Sequence, residues 1–307
     1  MNYLVLGGSG FIGSHIVDKL LAEGHNVSVL DAFNERYRSP LADVKYFIGY
    51  FGDTQLLRKA LKGQDIVIHS ISTTVPETSN HDMLNDVESN LYPSLTLFKI
   101  ASEQGVKRMV FLSSGGAVYG NPKIVPIPEN HPKNPISSYG ITKLAIEKYL
   151  ALYSHLSGME YNIIRPSNPY GPRQNPFGAQ GIISVYLGKI LKGEPIEIWG
   201  DGLVYRDYIY IDDLISAIYN VSISSVKSKI FNIGSGEAVS ILEIVKKIKK
   251  VLDKDFDIKF LDGRDCDVSK VCLDISLASA SLDFSPNVSL DEGILKTWEF
   301  VNSLSKN

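Results

Sequence analysis

Ten residues near the N-terminus, Leu4-Val5-Leu6-Gly7-Gly8-Ser9-Gly10-Phe11-Ile12-Gly13, constrain the fold of this chain more than any other stretch. Tyr3 to Leu6 reads as a short buried strand. Ser14 onward reads as a helix, with Ile16, Val17, Leu20 and Leu21 at helical spacing. A strand that turns sharply into a helix leaves unpaired N–H groups at the helix start. Those donors and the helix dipole attract a phosphate. Glycines form the turn and let a pyrophosphate approach the backbone, because no Cβ stands in the way. Two registers are present. Gly8-x-Gly10-x-x-Gly13 fits the general dinucleotide fingerprint, and Gly7-x-x-Gly10-x-x-Gly13 a wider variant. The alternative is a tight turn that binds nothing.

The next segments decide between these. A second strand, Asn26–Leu30, ends in Asp31. An acid there accepts hydrogen bonds from both adenosine ribose hydroxyls, which favours NAD over NADP. Further strands are expected at Lys45–Ile48, Asp65–His69, Arg108–Leu112 and Glu160–Ile164. Helices are expected at Ser14–Ala22, Thr54–Leu61, Leu84–Glu103 and Tyr139–Leu156. This alternation predicts an α/β fold, a Rossmann-type doubly wound parallel sheet covered on both faces. Ligands bind beyond the carboxyl ends of such strands. Gly52-Asp53, Ser70–Thr74 and Ser113-Ser114 lie at those ends.

After Pro166 the pattern loosens. Helices are expected at Gly181–Lys192, Asp212–Val221 and Ile241–Leu252, with short strands at Ile196–Trp199 and Arg206–Ile211. The expected division is residues 1–166 as the dinucleotide-binding domain and 167–307 as a smaller C-terminal α/β lobe, with some later segments returning to the sheet. A chain of 307 residues buries enough core for this. A net charge of −3 offers no basic field for nucleic acid. No apolar run approaches the roughly 18 residues of a spanning helix, so no membrane contact is expected. The first residues read as a strand and a glycine loop rather than a charged segment followed by an apolar one, so no signal peptide is expected. Cys266 and Cys272 show no metal-ligand spacing and read as reduced thiols of a cytoplasmic protein, with no metal expected.

Tyr139 and Lys143 stand four residues apart at the start of an expected helix, so they share one face. An ammonium beside a phenol lowers its pKa, as does an oxidised nicotinamide. A phenol titrates near 10 when unperturbed, so such tuning makes it a base near neutrality. Taken alone, the pair also fits an ordinary surface Tyr and Lys.

With these residues in hand the chain resembles the extended short-chain dehydrogenase/reductase family, in its NAD-dependent epimerase/dehydratase group, and within it the UDP-hexose 4-epimerases. The resemblance covers nearly the whole chain. It rests on Gly7–Gly13, on Ser113-Ser114-Gly115-Gly116-Ala117-Val118-Tyr119-Gly120, on Tyr139–Lys143, on Arg165–Pro172 and on Tyr205–Asp213. It implies that Gly7, Gly10, Phe11, Ile12, Gly13 and Asp31 hold NAD, with Asp53 at the adenine. Tyr139 would be the general base, and Lys143 would hold the nicotinamide ribose. Asn90 matches a structural position on the long helix. Two departures stand out. Leu6 replaces the usual Thr, so one turn-bracing hydroxyl is missing. The catalytic Ser/Thr position falls on Gly115; Ser114 is the preferred substitute, Ser113 the neighbour, and Thr74 a third hydroxyl within reach.

The same resemblance implies a UDP-sugar substrate. Asn168 and Arg206 match residues at the diphosphate, and Arg264 with Asp267 matches the later Arg-x-x-Asp element. Arginine forks suit phosphate oxygens. Related dehydratases carry an Asp-Glu pair before Val-Tyr-Gly, and related decarboxylases a Glu. Here Gly116-Ala117 stands there, with no ionisable group. An epimerase needs none, so C4 epimerisation of a UDP-hexose is the expected reaction. A nucleotide-sugar reductase or dehydrogenase, a UDP-uronic acid epimerase and a non-catalytic NAD-binding regulator are the alternatives. Val271, four residues after Asp267, matches a gate where a small residue admits a UDP-N-acetylhexosamine; its other reading is core packing. A homodimer through the helices Leu84–Glu103 and Tyr139–Leu156 is also implied.

Overall fold

The computed structural model describes residues 1–263 and 268–306. Six strands follow the expected runs within two residues at either end: β1 (Asn2–Leu6), β2 (Asn26–Asp31), β3 (Val44–Ile48), β4 (Ile66–His69), β5 (Arg108–Leu112) and β6 (Glu160–Pro166). The smaller lobe carries β7 (Asn168–Tyr170), β8 (Ile196–Trp199) and β9 (Tyr205–Tyr210). After them come β10 (Lys229–Ile233), β11 (Ala238–Ser240), β12 (Ile258–Leu261) and β13 (Lys270–Val271). The helices are α1 (Phe11–Ala22), α2 (Thr54–Leu61), α3 (Pro76–Ser79), α4 (Met83–Asp86), α5 (Tyr92–Glu103) and α6 (Ser138–Ser157). They continue as α7 (Ile182–Lys192), α8 (Ile211–Ile223), α9 (Ile241–Leu252), α10 (Ser276–Leu282) and α11 (Leu290–Ser303).

The main sheet is a Rossmann-like α/β sheet with helices on both faces. It has seven strands in the order β10-β6-β5-β4-β1-β2-β3, all neighbours parallel. Strands covered on both faces need no polar alternation, and every residue of β4 and β5 is buried. One face packs α1 and α8 through Ile16, Val17, Leu214 and Ile218. The other packs α2, α5 and α6 through Leu57, Leu97, Ile146 and Leu150. The order reverses between β1 and β4, which opens the crevice where ligands bind in such sheets. β10 comes from the second half of the chain yet pairs with β6, Phe231 opposite Ile164.

The long helix expected over Leu84–Glu103 is interrupted. Between α4 and α5 lies a π-helical turn, Val87–Leu91. Pro93 follows it and has no N–H to give to a carbonyl of the preceding turn, so regular α-helix cannot run through. The wide turn points the buried Asn90 at the crevice loops rather than along a helix face. In the smaller lobe β9 pairs with β7, β11 and β13, while β12 pairs with β8.

Candidate active site

The glycine turn closes tightly on itself. Gly7 adopts φ +82°, a conformation that favours glycine, and Gly10 N–H donates to Gly7 O at 3.1 Å. A Cβ on Gly13 would lie 1.9 Å from Gly7 O. The first N–H groups of α1, at Phe11, Ile12 and Gly13, are left over by helix geometry, and Gly10 caps them with no side chain. Beside them the Ser9 hydroxyl is buried and has no hydrogen-bond partner. This cradle of backbone donors, with an orphaned hydroxyl and no Cβ across it, fits a dinucleotide pyrophosphate. The hydroxyl missing at Leu6 is supplied from elsewhere: Ser70 Oγ donates to Leu6 O at 2.7 Å.

Asp31 is buried at the end of β2. Its carboxylate accepts from Ser9 N–H (3.1 Å) and Phe33 N–H (3.2 Å), which fixes it beside the glycine turn. Asp53 has a structural task that the sequence reading missed. It caps α2, its Oδ1 accepting from Gln55 and Leu56 N–H.

α6 delivers Tyr139 and Lys143 to the ends of β4 and β5. Ser137 caps the helix by accepting from Gly140 N–H. Ser79 Oγ and Asn80 Oδ1 accept from the next two free donors, Tyr139 and Ser138 N–H. The hydroxyls of Ser114 and Ser72 each favour the ionised form of the Tyr139 phenol. Lys143 Nζ lies 5.6 Å from the Tyr139 ring centre and 4.9 Å from that of Phe111, and donates to Leu112 O at 3.0 Å. Burial pushes the phenol up to about 12, opposed by the two serine hydroxyls and assisted by Asp86. Burial takes the Lys143 ammonium down to about 8, opposed by Asp86 and Glu147. The sequence expectation that Lys143 lowers the Tyr139 pKa is therefore corrected. The ammonium faces a backbone carbonyl, and desolvation governs the phenol.

Ser113 and Thr74 turn away from the phenol. Ser113 Oγ donates to Glu147 Oε1, which joins it to the buried Glu147–Arg165 ion pair. Thr74 Oγ1 donates to the fully buried carboxylate of Asp86. Asp86 also accepts from Ser138 Oγ (2.7 Å), Thr142 Oγ1 (2.8 Å) and Asn90 Nδ2 (3.2 Å). It ties the loop after β4 to the first turns of α6. Gly115 has a steric cause. A Cβ there would lie 2.6 Å from Leu273 Cδ1 and 2.9 Å from Pro166 O.

The second lobe brings Asn168 and Arg206 to neighbouring strands. Asn168 Nδ2 donates to Asp207 O at 2.8 Å, and Arg206 Nη1 donates to Tyr205 O and Val268 O. Arg264 and Asp267 lie outside the described residues. Val271 is only 3 % exposed and packs with Val118, Tyr119, Ile127 and Leu273. Its side chain takes the core packing that the sequence reading gave as the alternative to a gate. Asp207 was not singled out, yet it is a fully buried acceptor for Ser235 N–H (2.8 Å) and Leu273 N–H (3.2 Å). Among the described residues no cluster of His, Cys, Asp or Glu could hold a metal ion. Among them, too, no helix is long and apolar enough to cross a membrane.

Comparisons with known proteins agree with this geometry. The model of the NAD-dependent epimerase/dehydratase family matches residues 3–234. UDP-glucose 4-epimerase of Mycolicibacterium smegmatis is 33 % identical over 313 residues, covering 100 % of both chains. The crystal structure of Thermotoga maritima UDP-glucose 4-epimerase with UDP-glucose superposes with a TM-score of 0.95 at 34 % identity, over 99 % of this chain and 100 % of that one. The Thermus thermophilus UDP-glucose 4-epimerase complex with NAD gives a TM-score of 0.92 at 32 % identity, over 98 % and 99 %.

Proposed function

The chain belongs to the NAD-dependent epimerase/dehydratase family, and we propose that within it the protein is a UDP-hexose 4-epimerase working through a 4-keto intermediate. The observation that carries this reading is the Tyr139–Lys143 pair on one face of α6, with Lys143 Nζ 5.6 Å from the Tyr139 ring centre. The two residues before Val118-Tyr119-Gly120, Gly116 and Ala117, bring no acid or base for elimination of water. Among the described residues, no atom beyond its chain neighbours lies within 4 Å of where a Gly116 Cβ would stand.

The roles follow from position. Gly7, Gly10, Phe11, Ile12 and Gly13 present backbone donors to the pyrophosphate, and Asp31 accepts from the adenosine ribose. Asp53 stands at the adenine end, and Lys143 at the nicotinamide ribose. Bound NAD supplies the hydride acceptor and donor for C4 and a positive ring charge beside the phenol. Tyr139 takes the proton of the sugar 4-hydroxyl and returns it after the keto sugar has turned over. Ser114 hydrogen-bonds the same oxygen. A general base of this kind contributes about 10²–10⁴-fold. Asn168 and Arg206, with Arg264 and Asp267, hold the nucleotide diphosphate. Residues 1–166 are assigned to NAD and 167–307 to the nucleotide sugar, β10 excepted.

Gln64 to Phe98 contains no Lys or Arg, so the loop beside the phenol offers no counter-charge to a uronate. That favours neutral hexoses and leaves N-acetylated hexosamines as candidates. Leu84, Tyr92, Ile141, Tyr149, Leu152 and Leu156 expose apolar surface on the long-helix segment and α6, which suits a cytoplasmic homodimer joined through those helices. The test is to incubate the NAD-loaded protein with UDP-glucose, UDP-galactose and their N-acetylated and uronic forms. Sugar interconversion without net NADH supports the reading. NADH formed in step with substrate would replace it with a dehydrogenase, and interconversion confined to uronates would replace the hexose.

A further inference from the structure

Tyr139 and Lys143 lie on one stripe of α6, and the stripe beside it carries Ser138 and Thr142, the residue before each. Both hydroxyls donate to one oxygen, Oδ2 of Asp86, at 2.7 and 2.8 Å. The other oxygen, Oδ1, accepts from Thr74 Oγ1 on the loop after β4 and from Asn90 Nδ2 at 3.2 Å. We propose that Asp86 is the positioning residue of this site: its buried carboxylate sets the rotation of α6 against the loop after β4 and holds a fixed negative charge beside the reactive pair. This rests on Tyr139 and Lys143 being that pair.

One side-chain bond to a helix leaves it free to pivot, whereas two bonds one turn apart fix its rotation. With 3.6 residues per turn, successive side chains stand about 100° apart, so gripping 138 and 142 aims 139 and 143. A phenol oxygen stands several ångströms off the helix axis. A helix rotation of about 10° therefore carries it through on the order of 1 Å. The other ties of α6 act elsewhere. Ser79 and Asn80 hold its first backbone N–H groups, and Glu147 grips Arg165 one turn beyond Lys143. Asp86 is what ties the two turns that carry the pair to Thr74.

Asp86, Thr74, Ser138 and Thr142 are all buried. The four donors are uncharged, so they satisfy the carboxylate oxygens without cancelling the charge, which acts through a low-dielectric interior. Burial takes the Lys143 ammonium down to about 8, and Asp86 is the first charge that opposes this, ahead of Glu147. The charge thus helps to keep Lys143 protonated at neutral pH. The other titratable groups facing the pair are Glu147, itself paired with Arg165 of β6, and the neutral His69 on β4. Glu77 on α3, Asp82 of α4, Glu88 in the π-helical turn and Lys99 and Glu103 on α5 are exposed.

The test uses Thr142→Val, Thr142→Ser and Asp86→Asn in the NAD-loaded protein, with UDP-galactose and UDP-glucose as substrates. Thr142→Val removes one grip and no charge. A misplacement of about 1 Å costs about 10²-fold, so kcat should fall about ten- to a hundredfold. KM and NAD retention should change little, and Thr142→Ser should recover most of the loss. Asp86→Asn removes the charge and keeps the shape. A second readout needs no turnover: carbon NMR of lysine-labelled protein, with the Lys143 signal assigned by Lys143→Met. In Asp86→Asn the Lys143 titration should move down from its value of about 8. A site merely loosened and wetted would move it up, towards the ordinary lysine value of about 10.4. Thermal melting shows whether each variant is folded; if Asp86→Asn is not, the Thr142 pair decides. Wild-type kcat in Thr142→Val, or a loss that serine does not recover, overturns the positioning role. A Lys143 titration unmoved or raised in Asp86→Asn overturns the role of the charge. A wild-type protein that interconverts neither sugar overturns the proposed reaction instead, and the Lys143 titration still decides for Asp86.

Discussion

Glu147→Ala tests how the fold holds the reactive helix. Glu147 lies four residues after Lys143 and eight after Tyr139, on the same side of α6. Its carboxylate receives Arg165 Nε (2.9 Å), Arg165 Nη2 (2.6 Å) and Ser113 Oγ. The side chains of Arg165 and Glu147 are 1 % and 2 % exposed. With Glu147 gone, the guanidinium keeps Tyr119 Oη (2.8 Å) and Glu129 O (3.2 Å) but loses its counter-charge. Removing one partner of a buried pair costs about 3–5 kcal/mol. At about 2 °C per kcal/mol for a chain of this size, Tm should fall by about 6 °C or more. Turnover should fall as well, because α6 loses its anchor to β5 and β6. Replacing both members, as Glu147→Leu with Arg165→Met, removes the stranded charge. That double variant should recover a large part of the stability. Urea unfolding followed by circular dichroism measures all three. A Glu147→Ala variant within about 1 kcal/mol of wild type, or a double variant no better than the single, would refute the reasoning.

Two further outcomes are expected. Gly13→Ala places a methyl 1.9 Å from Gly7 O, so the glycine turn must open. NAD retention, read by absorbance and by titration of added NAD, should be lost while the apo fold still melts cooperatively; retained NAD would contradict the cradle. Burial takes His69 down to about 3 from 6.5. The unfolded chain takes up this proton first, so its contribution to stability is present above pH 6.5 and is lost as pH falls towards 3. His69→Gln should therefore lose less stability than wild type across that window, and equal losses would show that His69 is not the group responsible.

The strands of the main sheet were legible because burial on both faces forces continuous apolar runs, as in Arg108–Leu112. β10 was harder to place. Lys229–Ile233 has the same composition as a small-lobe strand, and nothing local says that it returns to β6. The break at Val87–Leu91 had a visible sign in Pro93, but amphipathic spacing on either side outweighed it. Tyr139 and Lys143 could be paired from spacing alone. Their environment could not. Lys143 finds Leu112 O only once separate βα units converge. The same holds for Asp86, whose four donors come from three segments. Asp53 shows the converse: its capping role is local and is signalled by an Asp directly ahead of Thr54–Leu61, a signal that the adenine reading passed over.

Whether a 4-keto sugar forms and is reduced within one binding event can be read most directly from the fate of the hydrogen at C4. UDP-galactose carrying deuterium at C4 would be incubated with the NAD-loaded protein, and the UDP-glucose formed would be examined by mass spectrometry and proton NMR. Retention of the deuterium at C4 in the product, with no reduced cofactor accumulating, is the expected result. Deuterium collecting on the cofactor in step with substrate consumed, or a product carrying solvent hydrogen at C4, would contradict epimerisation at this site.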